Sequence, residues 1–216
     1  MFDNFKKNTW ARQRELKRLK ETISITQMKE IVNSIINLQE ASFVACSWLT
    51  GARVHELITN KKKGWIGIRP CDITLEEIDE KNIVKITIDN EKVRRTKKYI
   101  LNGEIRYKSV NEDLWRKEII INADGEDSYF INIINKHISN IEPTNPMFAF
   151  SYNKAWRIMN EYCKCNPHWI RNSRVTYWKN VQHLDDSYVQ RMAGWSDGRM
   201  ISKYNQISWK DIAKVI

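Results

Sequence analysis

Apolar residues recur at the three- and four-residue spacing of a helix face soon after a basic, weakly periodic start over residues 1–22. That face comprises Met28, Ile31, Val32, Ile35 and Ile36. Thr26, acting with Glu30, is the predicted cap at the start of this helix. A second helix is predicted over residues 39–49, where "ASFVACSWL" is apolar enough to be largely buried. A turn at Gly51 then opens into another helix.

Strand-like patterns replace the helical spacing in the middle of the chain. Residues 61–74, "KKKGWIGIRPCDIT", are predicted to form a loop because Gly and Pro punctuate them. The β-branched alternation of "NIVKITID" predicts a strand over residues 82–89, and "RKEIIIN" predicts a further strand over residues 116–122. Between them, "KKYILNGEIRYKS" predicts a hairpin, since Asn102-Gly103 suits a tight type I′ turn.

Helical patterns return after this β-rich segment. They cover about residues 126–138, 152–162, 167–179 and 186–193. Pro143 and Pro146 separate the first two of them. The order of helices, a small antiparallel sheet and more helices predicts an α+β fold that is mostly α-helical.

The composition is typical of a globular protein with a substantial core. The chain has 216 residues, of which 42% are hydrophobic and 29% charged. This is enough for one large domain, or one domain with a short extension. No apolar run approaches the ~20 residues of a membrane span. The N-terminus "MFDNFKKNTWARQRELKRLK" lacks the apolar segment of a signal peptide, so we expect a cytoplasmic protein.

The four cysteines do not predict a disulfide framework or a metal site. They are too few for such a framework in a chain this long, and an intracellular location keeps them reduced. Cys163, Cys165 and His168 in "CKCNPH" lack a fourth ligand, and C-x-C is a poor zinc spacing. We therefore expect no metal.

The charge balance favours a polyanionic partner. The 36 basic residues outnumber the 26 acidic ones and give a formal net charge of +10. An excess of this size is typical of proteins that bind nucleic acid, although many basic surfaces bind nothing in particular.

Arg53 and Glu56 in "TGARVHEL" are spaced to interact at the start of a helix. Such a pair is most often a surface salt bridge. Here, however, Arg53 follows the apolar stretch from Phe43 to Leu49. An arginine that directly follows a buried helix is well placed to bind a specific anion. Glu56 would then hold the guanidinium of Arg53 in place.

A second polar stretch, "PHWIRNSRVTYW", places His168 and Arg171 on one face of a helix. Pro167 suits the first turn, so both side chains lie near the helix N-terminus. There the backbone N–H groups and the helix dipole favour a bound anion. Two side chains that repel each other when protonated therefore predict an anion, a phosphate, in front of them.

Two further stretches are polar or basic. In "MAGWSDGRMISKYNQ", Gly194 ends a helix, Trp195 lies in the turn, and the residues around Tyr204 are too polar for a simple core tyrosine. The run "NEKVRRTKKY" is a solvated basic turn by default, unless other parts of the chain bind a phosphate.

Together these stretches resemble the catalytic domain of the tyrosine recombinase (phage integrase) family. "TGARVHEL" is similar to the family's T-G-x-R-x-x-E-L box, and "HWIRNSRVT" to its H-x-L-R-H-T-x-A-T box, although Asn172-Ser173 replaces His-Thr. "MAGWSDGRMISKY" is similar to the closing box that carries the nucleophilic tyrosine. The order of the boxes also fits, from about Thr26 to the C-terminus. The stretches "PHWIRNSRVTYW" and "AGWSDGRM" are most similar to those of archaeal and archaeal-virus members.

The resemblance implies a role for each matching residue. Tyr204 would attack the scissile phosphate of DNA and form a 3′-phosphotyrosine, leaving a 5′-hydroxyl. Arg53 and Arg171 would bind the non-bridging oxygens and stabilise the charge that develops there. His168 would accept or orient the tyrosine proton, and Trp195 would donate its indole N–H to the phosphate. No metal is implied, and religation would need no nucleotide cofactor because the phosphotyrosine conserves the energy of the broken bond.

A lysine beyond the second strand of the family's sheet would protonate the leaving 5′-oxygen. Lys92, just past "IVKITID", matches that place best. Lys97, Lys98 and Lys108 remain alternatives, because residues 93–116 are longer than the usual hairpin.

The resemblance also implies a domain organisation and partners. Residues 1–25 would be an N-terminal extension or linker remnant, too short for the family's core-binding domain. Such a domain would be either truncated here or naturally absent. Residues 26–216 would be the catalytic domain, with a tail over about residues 205–216. The tail would pack on a neighbouring protomer or fold back on its own domain.

The implied function is site-specific recombination or integration. The implied partners are double-stranded DNA at attachment sites and further copies of the chain, as a dimer or tetramer on DNA. The gene would belong to a mobile element, carried by a virus or a plasmid. Two alternatives stay open: a DNA-relaxing enzyme similar to type IB topoisomerases, and a DNA-binding protein of this fold that does not cleave.

Overall fold

The computed structural model describes residues 22–60, 64–89, 96–101, 104–109 and 116–195. Within them the chain forms seven α-helices, five β-strands and a short 3-10 helix at Pro70–Asp72. The helices are α1 (Ile25–Asn33), α2 (Leu38–Thr50), α3 (Val54–Leu57), α4 (Ser128–Ile138), α5 (Tyr152–Tyr162), α6 (Pro167–Asn180) and α7 (Asp186–Ala193). The strands are β1 (Ile73–Ile78), β2 (Lys81–Asp89), β3 (Thr96–Leu101), β4 (Glu104–Ser109) and β5 (Arg116–Asn122). None of these helices is long and apolar enough to cross a membrane.

The predicted α+β class, mostly helical with a small antiparallel sheet, is confirmed. The predicted helices are also present, but the start of α1 differs. The N-cap is Ser24, not Thr26, because Ser24 and Gln27 form a reciprocal capping box. Ile36, placed on the apolar face by its spacing, is fully exposed because α1 ends before it, at Asn33.

The loop predicted over residues 61–74 is wrong at its end, where β1 begins at Ile73. This strand lies at the edge of the sheet, and none of its residues is fully buried. The strand β1 is defined by its backbone pairing with β2, which runs from Ile73 opposite Ile86 to Ile78 opposite Lys81. A strand with so little buried surface has no clear apolar alternation, so the sequence carried no signal for it.

The strands form two antiparallel sheets. A three-stranded sheet has the order β1-β2-β5. The predicted hairpin, β3 and β4, forms a separate two-stranded sheet between β2 and β5 in the sequence. Its strands pair up to Leu101 opposite Glu104, while Asn102 and Gly103 lie outside the described residues. The three-stranded sheet buries alternate residues of β2 and β5 against the helices, and this register fixes which β5 side chains reach the core.

The central helix of the domain is α2, whose residues from Ala41 to Thr50 are all buried. It packs on both α4 and α6. Phe43 meets Phe148 and Phe150 edge to face, with ring centroids 5.3 and 5.1 Å apart. Burying one such side chain stabilises the fold by roughly 1.5–3 kcal/mol. A helix buried on all sides holds its C-terminal end in a fixed position, and the candidate site begins there.

Candidate functional site

The turn after α2 positions Arg53. Gly51 ends the helix in the left-handed conformation, with φ of 53°. A Cβ atom there would lie 3.4 Å from the ring of Trp178, so the turn packs closely on α6. Arg53 follows at the start of α3. Its backbone N–H donates to Oε2 of Glu56 and its Nη1 donates to Oε1 of the same carboxylate, both at 2.8 Å. Glu56 therefore fixes both the backbone and the guanidinium of Arg53.

The first turn of α6 positions His168 and Arg171. Asn166 caps this helix by accepting from the N–H of Trp169 at 3.1 Å, and Pro167 occupies the first turn as predicted. His168 is exposed, whereas Arg171 is only 1% exposed. The guanidinium of Arg171 donates to the carbonyl of Gly51 at 2.6 Å and to that of Ala193 at 2.8 Å. One side chain thus joins the ends of α2, α6 and α7.

Trp195 lies beside Arg171 at the end of α7. Gly194 ends that helix in the left-handed conformation, with φ of 65°. The N–H of Trp195 then donates to the carbonyl of Gln190 at 3.0 Å. The Trp195 ring lies 5.4 Å from Cζ of Arg171, within the range of a cation–π contact. Trp195 is 8% exposed and packs against the guanidinium.

The turn after α2, the short helix α3, one face of α5 and the start of α6 line a cleft of about 340 Å³. Arg53, His168 and Arg171 all line it, although long stretches of sequence separate Arg53 from the other two. His55, Tyr152 and Trp156 line it as well. The cleft therefore combines two guanidinium groups and an imidazole with an aromatic side.

Behind the cleft, Glu56 also binds Lys117, a residue that the sequence analysis missed. Nζ of Lys117 lies 2.6 Å from Oε2 of Glu56, and both side chains are buried. The strand pattern of "RKEIIIN" carried the signal, because Lys117 shares the inward face of β5 with Ile119 and Ile121. A lysine on an inward face needs a buried carboxylate, so the pair Arg53–Glu56 is not the surface salt bridge that its spacing alone suggests.

The charges around Glu56 shift two pKa values. Burial acts to raise the pKa of Glu56, but the charges of Lys117, Arg53 and Arg171 outweigh it and lower that pKa to about 2. Burial lowers the pKa of Lys117 to about 8, although the attraction of Glu56 opposes that change. Three cations thus lie close to one carboxylate, an arrangement that favours an additional anion at the cleft.

The structure describes no side chain of the remaining predicted site residues. Lys92 and Tyr204 lie outside the described residues. Lys97, Lys98 and Lys108 belong to β3 and β4, where Lys97 pairs with Lys108 across the hairpin, and only their strand positions are described. Their roles stay predictions.

A second cavity, of about 330 Å³, lies on another side of Glu56 and is lined by charged residues that bind one another. Arg69 holds Asp72 through two side-chain bonds, of 3.0 and 2.8 Å, and Arg116 holds Asp89 at 3.3 Å. Three carboxylates, those of Glu56, Asp72 and Asp89, line this cavity against two guanidinium groups, whereas no carboxylate is among the described residues that line the cleft. This cavity is therefore a weaker candidate for an anion.

The cysteines near α6 are packed into the core. Cys163 and Cys165 are buried, and burial raises the pKa of the Cys163 thiol to about 12. Among the described residues no group of three or more His, Cys, Asp or Glu side chains could hold a metal ion.

The fold matches solved structures, although no protein-family model and no curated protein matches the sequence. One match is the XerH site-specific recombinase bound to its difH substrate, with a TM-score of 0.54 and 14% identity over 88% of this chain. Another is the XerA recombinase, with a TM-score of 0.54 and 14% identity over 91% of this chain. A third is the Tn1549 transposon integrase in complex with a circular intermediate DNA, with a TM-score of 0.51 and 16% identity over 91% of this chain.

This is the tyrosine recombinase catalytic fold. Identities of this size establish the fold and nothing finer. The chain covers 51% of the XerH chain, 62% of the XerA chain and 64% of the Tn1549 integrase chain. Within this fold, the turn after α2 and the start of α6 line the cleft, and Arg171 joins them to the end of α7.

Proposed function

We propose that this protein cleaves and rejoins DNA at specific sites through a 3′-phosphotyrosine intermediate at Tyr204. The observation that carries the proposal is the single cleft in which Arg53, His168 and Arg171 meet. The shared recombinase fold and the net charge of +10 support DNA as the substrate. An archaeal, viral or plasmid origin and assembly into a dimer or tetramer stay predictions.

In the proposed reaction, the hydroxyl oxygen of Tyr204 attacks phosphorus while the bond from phosphorus to the 5′-oxygen breaks. His168 takes or orients the tyrosine proton. Lys92, in the role that the family resemblance gives it, supplies a proton to the leaving 5′-oxygen. The reverse sequence rejoins the strand, because the phosphotyrosine bond retains the energy of the phosphodiester.

The electrostatic contribution comes from the two arginines. Charge develops on the non-bridging oxygens as the phosphorus becomes five-coordinate, and fixed cations stabilise it without rearranging. Arg53 is held by the buried carboxylate of Glu56, and Arg171 by two backbone carbonyls. Trp195 is assigned to the phosphate as well, and its ring lies against Arg171. Both guanidinium groups are therefore pre-positioned before DNA binds.

A covalent-trapping assay tests this proposal. The substrate is a pool of nicked duplexes with randomised sequence around the nick, labelled on the strand that would become attached. Cleavage near the nick releases a short fragment, so the attached protein cannot rejoin the strand. We expect a labelled protein–DNA band that resists SDS and forms in EDTA, and the trapped strands should converge on one sequence.

Two tyrosine variants provide the control. Tyr204→Phe should abolish the band while DNA binding remains. Tyr188→Phe removes another hydroxyl, from an exposed tyrosine on α7, and should leave the band unchanged. A band that survives Tyr204→Phe would falsify the assignment of the nucleophile. Relaxation of supercoiled plasmids without any preferred sequence would favour the topoisomerase-like alternative, and DNA binding without a band would favour the non-cleaving one.

A further inference from the structure

One side of the cleft is aromatic, and the proposed chemistry does not use it. Tyr152 and Trp156 are spaced four residues apart on α5, so they lie one turn from each other on the same face. Both line the cleft that contains Arg53, His168 and Arg171. They are 41% and 43% exposed, which is unusual for such large aromatic side chains.

A third ring orients this aromatic wall, which comprises His55, Tyr152 and Trp156. The imidazole of His55 stacks on the ring of Tyr152, with centroids 4.4 Å apart and planes only 8° from parallel. His55 belongs to α3, the helix that begins just after Arg53. The same short helix thus connects the guanidinium end of the cleft to its aromatic end.

A nucleotide has the two features that this cleft complements. Its phosphate is an anion, and its base has a flat, apolar face that stacks on aromatic rings. We infer that the aromatic wall binds a nucleobase that has left the DNA stack, next to the phosphate held by Arg53 and Arg171. The inference rests on the proposed function for the identity of the ligand as DNA. It adds a second binding site and a requirement that one base near the reacting phosphate be unstacked.

The cations at the other end favour a nucleotide over a protein partner. An apolar protein segment would complement the rings but would leave the guanidinium groups and His168 facing a surface of no opposite charge. A paired base inside a duplex does not fit either, because its neighbours cover both of its faces. The ligand of the wall is therefore a base at a gap, a nick or a cleavage point.

The test compares three DNA probes in a Tyr204→Phe background, where no covalent step can contribute. The first is a duplex with one unpaired 2-aminopurine in a gap, the second has an abasic residue there, and the third is fully paired. We expect the first to bind about 10-fold more tightly than the abasic probe, as base stacking on aromatic side chains predicts. Its fluorescence should be quenched on binding, because the base stacks on the wall.

Variants of the wall and of a distant aromatic residue make the result specific. Trp156→Ala should remove the preference for the base and the quenching, while the salt dependence of binding stays the same because phosphate contacts remain. Trp156→Phe, which keeps a smaller ring, should restore part of both. Tyr188→Ala removes an exposed ring outside the cleft and should change neither.

Three results would overturn the inference. The first is a protein that binds abasic and base-containing probes equally. The second is undiminished quenching by Trp156→Ala. The third is a Trp156→Ala protein with altered self-association and an intact base preference, which would assign the wall to contacts between copies. Because covalent trapping and base stacking are measured separately, failure of the Tyr204 assignment and failure of this inference give different outcomes.

Discussion

Arg171 and Arg174 lie one turn apart on α6 and are equally buried, each 1% exposed, yet their surroundings differ. Arg174 binds the carboxylate of Asp127 with both terminal nitrogens, at 2.9 and 2.6 Å. The rings of Trp48, Tyr177 and Trp178 surround its guanidinium at 5.1 to 5.4 Å. Arg171 instead donates to two neutral backbone carbonyls and lines the cleft.

The difference shows how one helix can carry a structural arginine and a candidate catalytic one. A carboxylate directly against Arg174 neutralises its charge inside the core. The two carbonyls that accept from Arg171 carry no net charge, and the charge of Arg171 helps to lower the pKa of Glu56. Equal burial thus does not give the two arginines equal surroundings.

Breaking the buried pair of Asp127 and Arg174 should have the largest effect on stability. Asp127→Ala leaves the Arg174 charge buried without its carboxylate, and the expected loss is about 4 kcal/mol of unfolding free energy. Urea denaturation followed by far-UV circular dichroism measures it. Glu118→Ala removes the carboxylate of an exposed pair with Arg191, and should cost less than about 1 kcal/mol. A similar small loss for both variants would show that Arg174 does not depend on Asp127.

Sequence patterns predicted the elements that bury a regular apolar face. Helix patterns placed α5 and α7 at their observed ends, and strand alternation placed β2 and β5. These elements bury a regular face, so the spacing of their apolar residues reports it. β1 was missed because it buries little and depends on pairing with β2, a contact distant in sequence.

For the site, local spacing predicted Arg53 with its partner Glu56, and His168 with Arg171, but not the partners of Arg171. The acceptors of Arg171 are backbone carbonyls, which no residue type reveals. Lys117 reaches Glu56 across 61 residues of sequence, and only the inward phase of β5 indicated its burial. Arg174, in the same motif as Arg171, gave no sign of its core role, because Asp127 comes from a different element.

Acidification should give the second largest effect, through Glu56. The pKa of Glu56 is about 2 in the folded chain and 4.5 without its partners. The unfolded chain therefore binds this proton first, so the stabilisation is complete above pH 4.5 and is lost as pH falls towards 2. The full loss is about 3 kcal/mol, of which about 2 should have occurred by about pH 3.

The matched variant for this prediction is Glu56→Gln, which cannot titrate. Urea denaturation of both proteins between about pH 5 and pH 3 isolates the Glu56 contribution, because other carboxylates affect both curves equally. The advantage of the wild type over Glu56→Gln should shrink as the pH falls. Parallel curves would mean that Lys117, Arg53 and Arg171 do not act on this carboxylate as the structure implies.

Arg171→Met should destabilise the fold less than the two changes above, but it should have the largest effect on the chemistry. This change leaves the carbonyls of Gly51 and Ala193 without their donor, which costs about 2 kcal/mol. It also removes a cation that lowers the pKa of Lys117, so part of the cost is offset. The covalent band should be lost while the protein stays folded and still binds DNA.

Arg174→Met is the matched control, since it makes the same change one turn along α6. It leaves the carboxylate of Asp127 buried alone, so it should cost about 3–5 kcal/mol, clearly more than Arg171→Met. The folded molecules of Arg174→Met should form the covalent protein–DNA band as well as the wild type does. The assay is run below the unfolding temperature of the variant, and the yield is expressed per folded molecule. If the two variants destabilised the fold equally and trapped DNA equally, the two arginines would have the same role, and the distinction by their partners would fail.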